Sequence, residues 1–136
     1  MKYLAIVSAL SFSWLLASSA CKKQNDKGFT CPDSRKIRFT LFTKKDFTHH
    51  DGSIIFTVGI RNMKSETIWD SVLAPMKLTD IPRLANKIII EKAVPGNDCS
   101  ALRVGFIYAI ENVGISWHWE SISAGQVFKE VEFDFK

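Results

Sequence analysis

Apolar and polar residues alternate along most of the chain that follows residue 36. Each apolar set recurs with a period of two, and polar side chains occupy most of the intervening positions. This pattern is typical of strands with one buried and one solvated face, as in antiparallel sheets. The alternating sets are Ile37, Phe39, Leu41; Ile54, Phe56, Val58, Ile60; Leu102, Val104, Phe106, Tyr108, Ile110; Ile115, Trp117, Trp119; and Val127, Lys129, Val131, Phe133, Phe135.

Two further segments complete the predicted strands. The unbroken run Ile88–Ile90 indicates a strand that is covered on both sides. Residues 66–81 allow two interpretations, since Ile68, Val72 and Met76 are spaced as on a helix, while their β-branched and aromatic neighbours suit a strand. We favour a strand near residues 66–73 followed by an irregular link.

Short turn signals separate the strands and favour antiparallel neighbours. They include Asp51-Gly52, Asn112-Val113-Gly114 and Ser123-Ala124-Gly125. The last three strands are therefore predicted to form a meander. About seven strands in one domain predict an all-β fold, namely a two-sheet, antiparallel, immunoglobulin-like sandwich, with a small barrel as the alternative.

The N-terminus carries a targeting signal. An uncharged apolar stretch from Leu4 to Ala20 follows Lys2 and ends at Cys21. It resembles a bacterial lipoprotein signal peptide, which implies that residues 1–20 form a cleaved apolar signal helix and that Cys21 is acylated. An ordinary secretory peptide cut near Ala20 and a transmembrane anchor are the alternatives.

The resemblance implies how the chain is divided into segments and where in the cell the protein is located. Residues 21–28 would be a lipidated flexible tether, since Lys22 to Gly28 contains no apolar side chain to bury. Residues 29–136 would be a single domain. Lys22 directly after the anchor implies the outer membrane of the cell envelope, on either its periplasmic or its surface side. The membrane partner would be reached through the lipid.

Charge and cysteine content narrow the function classes. Removing residues 1–20 leaves 17 basic and 14 acidic side chains, a net charge of about +3, without the clustered basic patch that nucleic-acid binding needs. Cys31 and Cys99 are the two cysteines left in an oxidising compartment, so a disulfide between them is predicted. Neither has a close Cys or His neighbour, which argues against zinc.

Catalytic and cofactor signals are absent from the sequence, so no enzyme activity and no cofactor is predicted. The cluster at His49 and Asp51 is interpreted as a polar loop and not as a metal site. Ser116, His118 and Glu120 share one strand face at a spacing too wide for direct hydrogen bonds, and they are interpreted as a solvated face.

Aromatic residues give the remaining functional hints. Trp117 and Trp119 share a face with Ile115 and are predicted to point inward. If that face were open instead, the tryptophans could stack on sugar rings beside His118 and Glu120. Phe42 and Phe128 lie at nominally solvated positions, where they are candidates for a partner surface or pack locally against a loop or the tether.

Two functions follow from these observations. The first is a non-enzymatic envelope lipoprotein whose sandwich binds or scaffolds another protein, with no nucleic acid as partner. The alternative is a lipoprotein that binds a glycan or another small ligand through exposed tryptophans.

Overall fold

The computed structural model describes residues 30–96 and 99–136, which form two packed β-sheets. The predicted signal peptide, Cys21 and the tether lie outside the described residues. In the described part, no helix is long and apolar enough to cross a membrane. The strands are β1 (Ser34–Phe42), β2 (Ser53–Asn62), β3 (Thr67–Val72), β4 (Met76–Lys77), β5 (Ile88–Pro95), β6 (Leu102–Ile110), β7 (Gly114–Ile122) and β8 (Phe128–Asp134).

One sheet has three strands in the order β5-β1-β8. Its central strand, β1, runs antiparallel to β5 and parallel to β8. The other sheet follows the path β3-β2-β6-β7, and the short β4 also pairs with β2. The β2–β6 and β6–β7 pairs are antiparallel and regular over nine residue pairs each. The predicted all-β sandwich is therefore confirmed, whereas a closed barrel is not formed.

The core lies between the sheets and follows the predicted alternation of β1, β2 and β6. Their inward apolar side chains are almost completely buried. Phe133 and Phe135 of the C-terminal segment add to this core, with the Phe133 ring stacked at 5.3 Å from Phe106. The inward residues are Ile37, Phe39, Leu41, Ile54, Phe56, Val58, Ile60, Leu102, Val104 and Phe106. Phe42, at the end of β1, is also buried although it lies off this alternation.

A disulfide joins Cys31 to Cys99, as predicted. Cys31 precedes β1 and Cys99 precedes β6, so the bond links the two sheets at one end of the sandwich. Arg35 lies beside this link, 1% exposed, and donates hydrogen bonds to the carbonyl oxygens of Ser100 at 2.5 Å and Ser123 at 3.4 Å. This guanidinium connects β1 to both neighbouring loops.

The prediction of a C-terminal meander is wrong. β6 and β7 form a hairpin, but the chain turns after Ser123 and crosses to the other sheet, where β8 pairs with β1. The crossover places Phe133 beneath Phe106 and 5.6 Å from the Tyr108 ring. A strand added to the β7 edge would leave these aromatic side chains without a second layer, so burial of apolar surface favours the crossover.

Two other segments refine the sequence interpretation. Ile89 is 50% exposed because it projects from the outer face of the three-stranded sheet, while Ile88 and Ile90 on the inner face pack on the core. The prediction of a strand covered on both sides is therefore wrong. The ambiguous segment 66–81 forms β3, β4 and a single 3₁₀ turn at Leu78–Asp80, so the strand interpretation holds.

Candidate functional site

The orientation of β7 is the main difference between sequence and structure at the candidate site. β7 pairs with β6 so that Phe106 lies opposite His118, and Val104 lies opposite Glu120. Opposite residues of an antiparallel pair project to the same face, so His118 and Glu120 point toward the other sheet. Trp117 and Trp119 must then point away from it.

The predicted inward orientation of the tryptophans is therefore wrong. Trp117 is 66% exposed and Ile115 is 70% exposed on the outer face of the five-stranded sheet, while Trp119 is partly buried there. Alternation identifies the two faces of a strand but not which of them is buried. Here the inner side of β7 lies at the open side of the sandwich beside β8, where polar side chains find partners.

His118 and Glu120 form part of a polar cluster at this open side. The His118 ring stacks on Phe133 with 5.0 Å between ring centroids. Glu120 lies 3.5 Å from Nε2 of His118, and it forms a 2.5 Å ion pair with Nζ of Lys129 on β8. Because this carboxylate is already paired, the cluster joins β7 to β8 and does not present a free general base. It is also separated from both tryptophans by the sheet itself.

The outer face carries a surface that we call the tryptophan face. It is a shallow groove of about 430 Å³ along β6 and β7. The indole of Trp119 reaches across β6 toward β2, and its Cη2 lies 3.1 Å from the position that a Cβ on Gly59 would occupy. The tryptophan face consists of Arg61, Ser65, Arg103, Ile107, Ile115, Trp117 and Trp119.

Two arginines flank the indole of Trp119. The guanidinium carbon of Arg61 lies 5.2 Å from the ring centre, and that of Arg103 lies 5.9 Å away. Both distances suit cation–π attraction. Among the described residues neither arginine forms an ion pair, so the positive charge at this end of the surface is uncompensated.

The β2–β3 turn holds both arginines in place. Ser65 accepts a hydrogen bond from Arg61 at its carbonyl oxygen (3.4 Å) and one from Arg103 at its hydroxyl (3.3 Å). Asn62 shapes this turn, because its Oδ1 accepts the backbone N–H groups of Lys64 and Glu66, both at 2.9 Å. The basic end of the tryptophan face is therefore preorganised by local hydrogen bonds.

The sequence analysis did not identify Arg61 and Arg103. Their position in the sequence could have identified them, because each arginine alternates with the inward residues of its strand and therefore lies on the outer face. The strand pairing adds what alternation lacks, because it places Arg61 opposite Arg103 and Ile107 opposite Trp117.

The candidate partner residues Phe42 and Phe128 do not form one surface. Phe42 is buried, with 4% exposure, and so contributes little to an exposed patch. Phe128 is 44% exposed, and the Arg38 guanidinium lies 5.7 Å from its ring centre. Phe128 pairs with Lys36 and Phe42 pairs with Asp134, so the two rings lie at opposite ends of the β1–β8 ladder.

No metal centre is assembled by the described residues, in which no three His, Cys, Asp or Glu side chains come together in a suitable arrangement. His49 and Asp51 lie exposed in the loop before β2.

The chain matches no known family, no curated protein and no solved structure. The function is therefore argued from the tryptophan face and from the sequence signals at the N-terminus.

Proposed function

We propose that this chain is an envelope lipoprotein, held on the outer membrane through acylated Cys21, whose β-sandwich binds another protein through the tryptophan face. The observation that carries the binding role is the 66% exposure of Trp117 beside other exposed apolar side chains. Contiguous apolar surface on a folded domain commonly marks an interaction site.

The composition of the surface supports a protein partner. Tryptophan and arginine are the side chains most enriched among residues that dominate protein–protein binding energy. Aliphatic neighbours such as Ile55, Ile107 and Ile115 extend the apolar area around Trp117. The uncompensated Arg61 and Arg103 favour a partner that places an acidic side chain next to its own apolar patch.

Site-specific photo-crosslinking in the intact envelope tests the binding role. A photoreactive residue at Ile55 or Val72, both on the outer face, should give one reproducible adduct with a different protein. The same probe at Ile89, which is exposed on the three-stranded sheet, is the matched control and should not give it. Replacing Trp117 by Ser should weaken the adduct. Equal adducts from both sheets would contradict the assignment.

The alternative is recognition of an acidic glycan. The exposed indole of Trp117 lies along the same groove as the two uncompensated guanidiniums, an arrangement that is also suited to a carboxylated sugar. However, His118 and Glu120 lie on the opposite face and cannot contact a ligand stacked on Trp117. Titration with uronic-acid oligosaccharides distinguishes the two functions: a saturable fluorescence change that is lost in Trp117→Ala supports the glycan, and no change supports the protein partner.

Lipid attachment is tested by intact mass of the membrane-extracted protein. We expect residues 21–136 plus acyl chains, and we expect the acyl mass and membrane retention to be lost in Cys21→Ser. An unacylated wild-type mass would remove the anchor from the proposal and leave a secreted binding module.

We also propose that the sandwich belongs to the immunoglobulin-like class. The order β7-β6-β2-β3 corresponds to the G-F-C-C′ order of variable domains, with β1 and β5 at the B and E positions. The disulfide between the segments before β1 and β6 agrees with this correspondence. β8 departs from it, because it occupies the outer position beside β1 in parallel orientation. An experimental structure in which β8 pairs with β7 would contradict the assignment.

A further inference from the structure

The four edges of the two sheets differ in how they resist pairing with another strand. β5 carries Glu91 and Lys92 and ends at Pro95, and β8 carries Lys129 and three acidic residues. β3 is short, and its pairing with β2 is interrupted by a register shift next to Ile60. Charge, proline, short length and bulges are the usual devices by which edge strands avoid intermolecular pairing.

β7 has only one such device, a single inward-pointing charge. It is nine residues long, pairs with β6 without a register shift, and contains no lysine, arginine or proline. Its single charged residue, Glu120, points inward and is paired with Lys129. Among the described strands β7 is hydrogen-bonded only to β6, so its other edge is open. A long, regular edge with a mainly apolar outer face is a template for an added strand.

The sequence of β7 fits a second copy of itself. His118 is the midpoint of the strand. A two-fold axis through His118 and perpendicular to the sheet therefore pairs the nine residues of β7 with the nine residues of the second β7 in reverse order. On the outer face each Trp117 then lies opposite Trp119 of the second copy, and each Ile115 lies opposite Ser121. On the inner face each Ser116 lies opposite Glu120.

The charges are compatible with this pairing. Arg103 lies on β6, opposite Ser121, and Arg61 lies on β2, so both arginines are removed from the seam. No lysine or arginine of one copy lies opposite a lysine or arginine of the other across the two β7 strands. The indole of Trp119 leans over β6 toward β2, so the space above the seam is left to the exposed Trp117 ring of the opposite copy.

We propose that this protein forms a homodimer in which two β7 strands pair antiparallel about His118 and join the five-stranded sheets of two copies into one continuous sheet. The dimer brings the exposed Trp117 side chains of both copies to the seam and doubles the tryptophan face. This inference goes beyond the proposed function, because it identifies a second copy of the chain as the occupant of the β7 edge.

The test is the mass of the purified, detergent-solubilised full-length protein by sedimentation over a range of concentrations. We expect a monomer–dimer equilibrium for wild type and a dissociation constant raised roughly tenfold or more by Trp117→Lys, which replaces the apolar ring on each side of the seam by a charge. Ile115→Lys, at the neighbouring outer position, should act in the same direction. Val72→Lys is the matched control, because Val72 has the same 66% exposure on the same face but lies on β3, at the far edge.

Each outcome decides the proposal. A monomer at all concentrations, or a dimer that Val72→Lys weakens as much as Trp117→Lys, overturns it. All variants replace exposed side chains, and unchanged thermal unfolding verifies that each one folds. Self-association is measured without any other protein, so its failure leaves the photo-crosslinking test of the proposed function unaffected.

Discussion

At the scale of single residues, two glycines make room for the tryptophan face. Gly59 and Gly105 lie opposite each other on β2 and β6, and Gly105 also pairs with Trp119 on β7. A Cβ on Gly105 would overlap the backbone carbonyl oxygen of His118. A Cβ on Gly59 would instead meet the far end of the Trp119 indole at 3.1 Å. The obstacle at Gly105 is backbone, whereas the obstacle at Gly59 is a side chain that can move.

Alanine at these two positions should therefore have unequal effects. We expect Gly105→Ala to lower the free energy of unfolding by about 1–3 kcal/mol, since the β6–β7 backbones must shift to accommodate the methyl group. Gly59→Ala should cost less and should change the fluorescence of Trp119 by displacing its ring. Urea unfolding of both variants measures the difference, and an equal loss at both sites would contradict this account.

At the scale of elements, the pairing of β1 with β5 is reinforced by an ion-pair network on its solvent side. Glu91 of β5 lies 2.7 Å from Nζ of Lys36 and 2.8 Å from Nη2 of Arg38, both on β1. Hydrogen bonds from Lys36 and then Arg38 hold the pKa of the Glu91 carboxyl below its ordinary value. The network is exposed, so its contribution is small and sensitive to salt.

The lowered pKa fixes the sign of a pH dependence. A depressed pKa in the folded state means that ionised Glu91 stabilises the fold above the ordinary glutamate pKa of about 4.5, and that this contribution is lost as the pH falls through the lowered value. The melting temperature of Glu91→Gln should therefore lie below that of wild type at neutral pH, and the two should converge in acid.

A neighbouring glutamate supplies the control for this measurement. Glu132 on β8 is exposed and forms no ion pair within the described part of the chain. Glu132→Gln should melt like wild type across the same pH range. A gap for Glu91→Gln that persists in acid, or that high salt does not reduce, would show that the side chain acts by packing.

At the scale of the whole molecule, one end of the sandwich is fastened by a covalent and a polar link. The Cys31–Cys99 disulfide spans 68 residues of sequence and joins the entries of β1 and β6. Arg35 next to it bonds the loops before β6 and after β7. Together they hold the two sheets against each other at the end of the sandwich where the chain crosses from β7 to β8.

Loss of the disulfide should therefore destabilise the molecule as a unit. A loop of this length corresponds to about 4 kcal/mol in the chain-entropy model. We expect the double variant Cys31→Ser/Cys99→Ser to unfold at lower urea by about that amount, and we expect a reducing agent to bring wild type to the same midpoint. The double variant itself should not respond to the reductant, and a wild type equally insensitive to it would contradict the prediction.

The sequence by itself determined the strand content, the inward residues of β1, β2 and β6, and the disulfide. These follow from local periodicity and from cysteine pairing, which depend little on the arrangement of distant elements. Residues such as Phe39, Val58 and Val104 have polar or small neighbours in the chain and a single apolar side to bury, so alternation was sufficient to place them.

Only the tertiary structure decided the orientation of β7, the destination of β8 and the burial of Phe42. The sequence offers an apolar face with Trp117 and a polar face with His118, and burial alone would choose the first. In the structure the polar face of β7 points inward instead. His118 pairs with Phe106, which β6 buries, and paired residues of adjacent strands project to the same face of the sheet. The tryptophan face exists because the register of β7 with β6, which keeps Phe106 inside, places the more apolar face of β7 on the outside of the sheet.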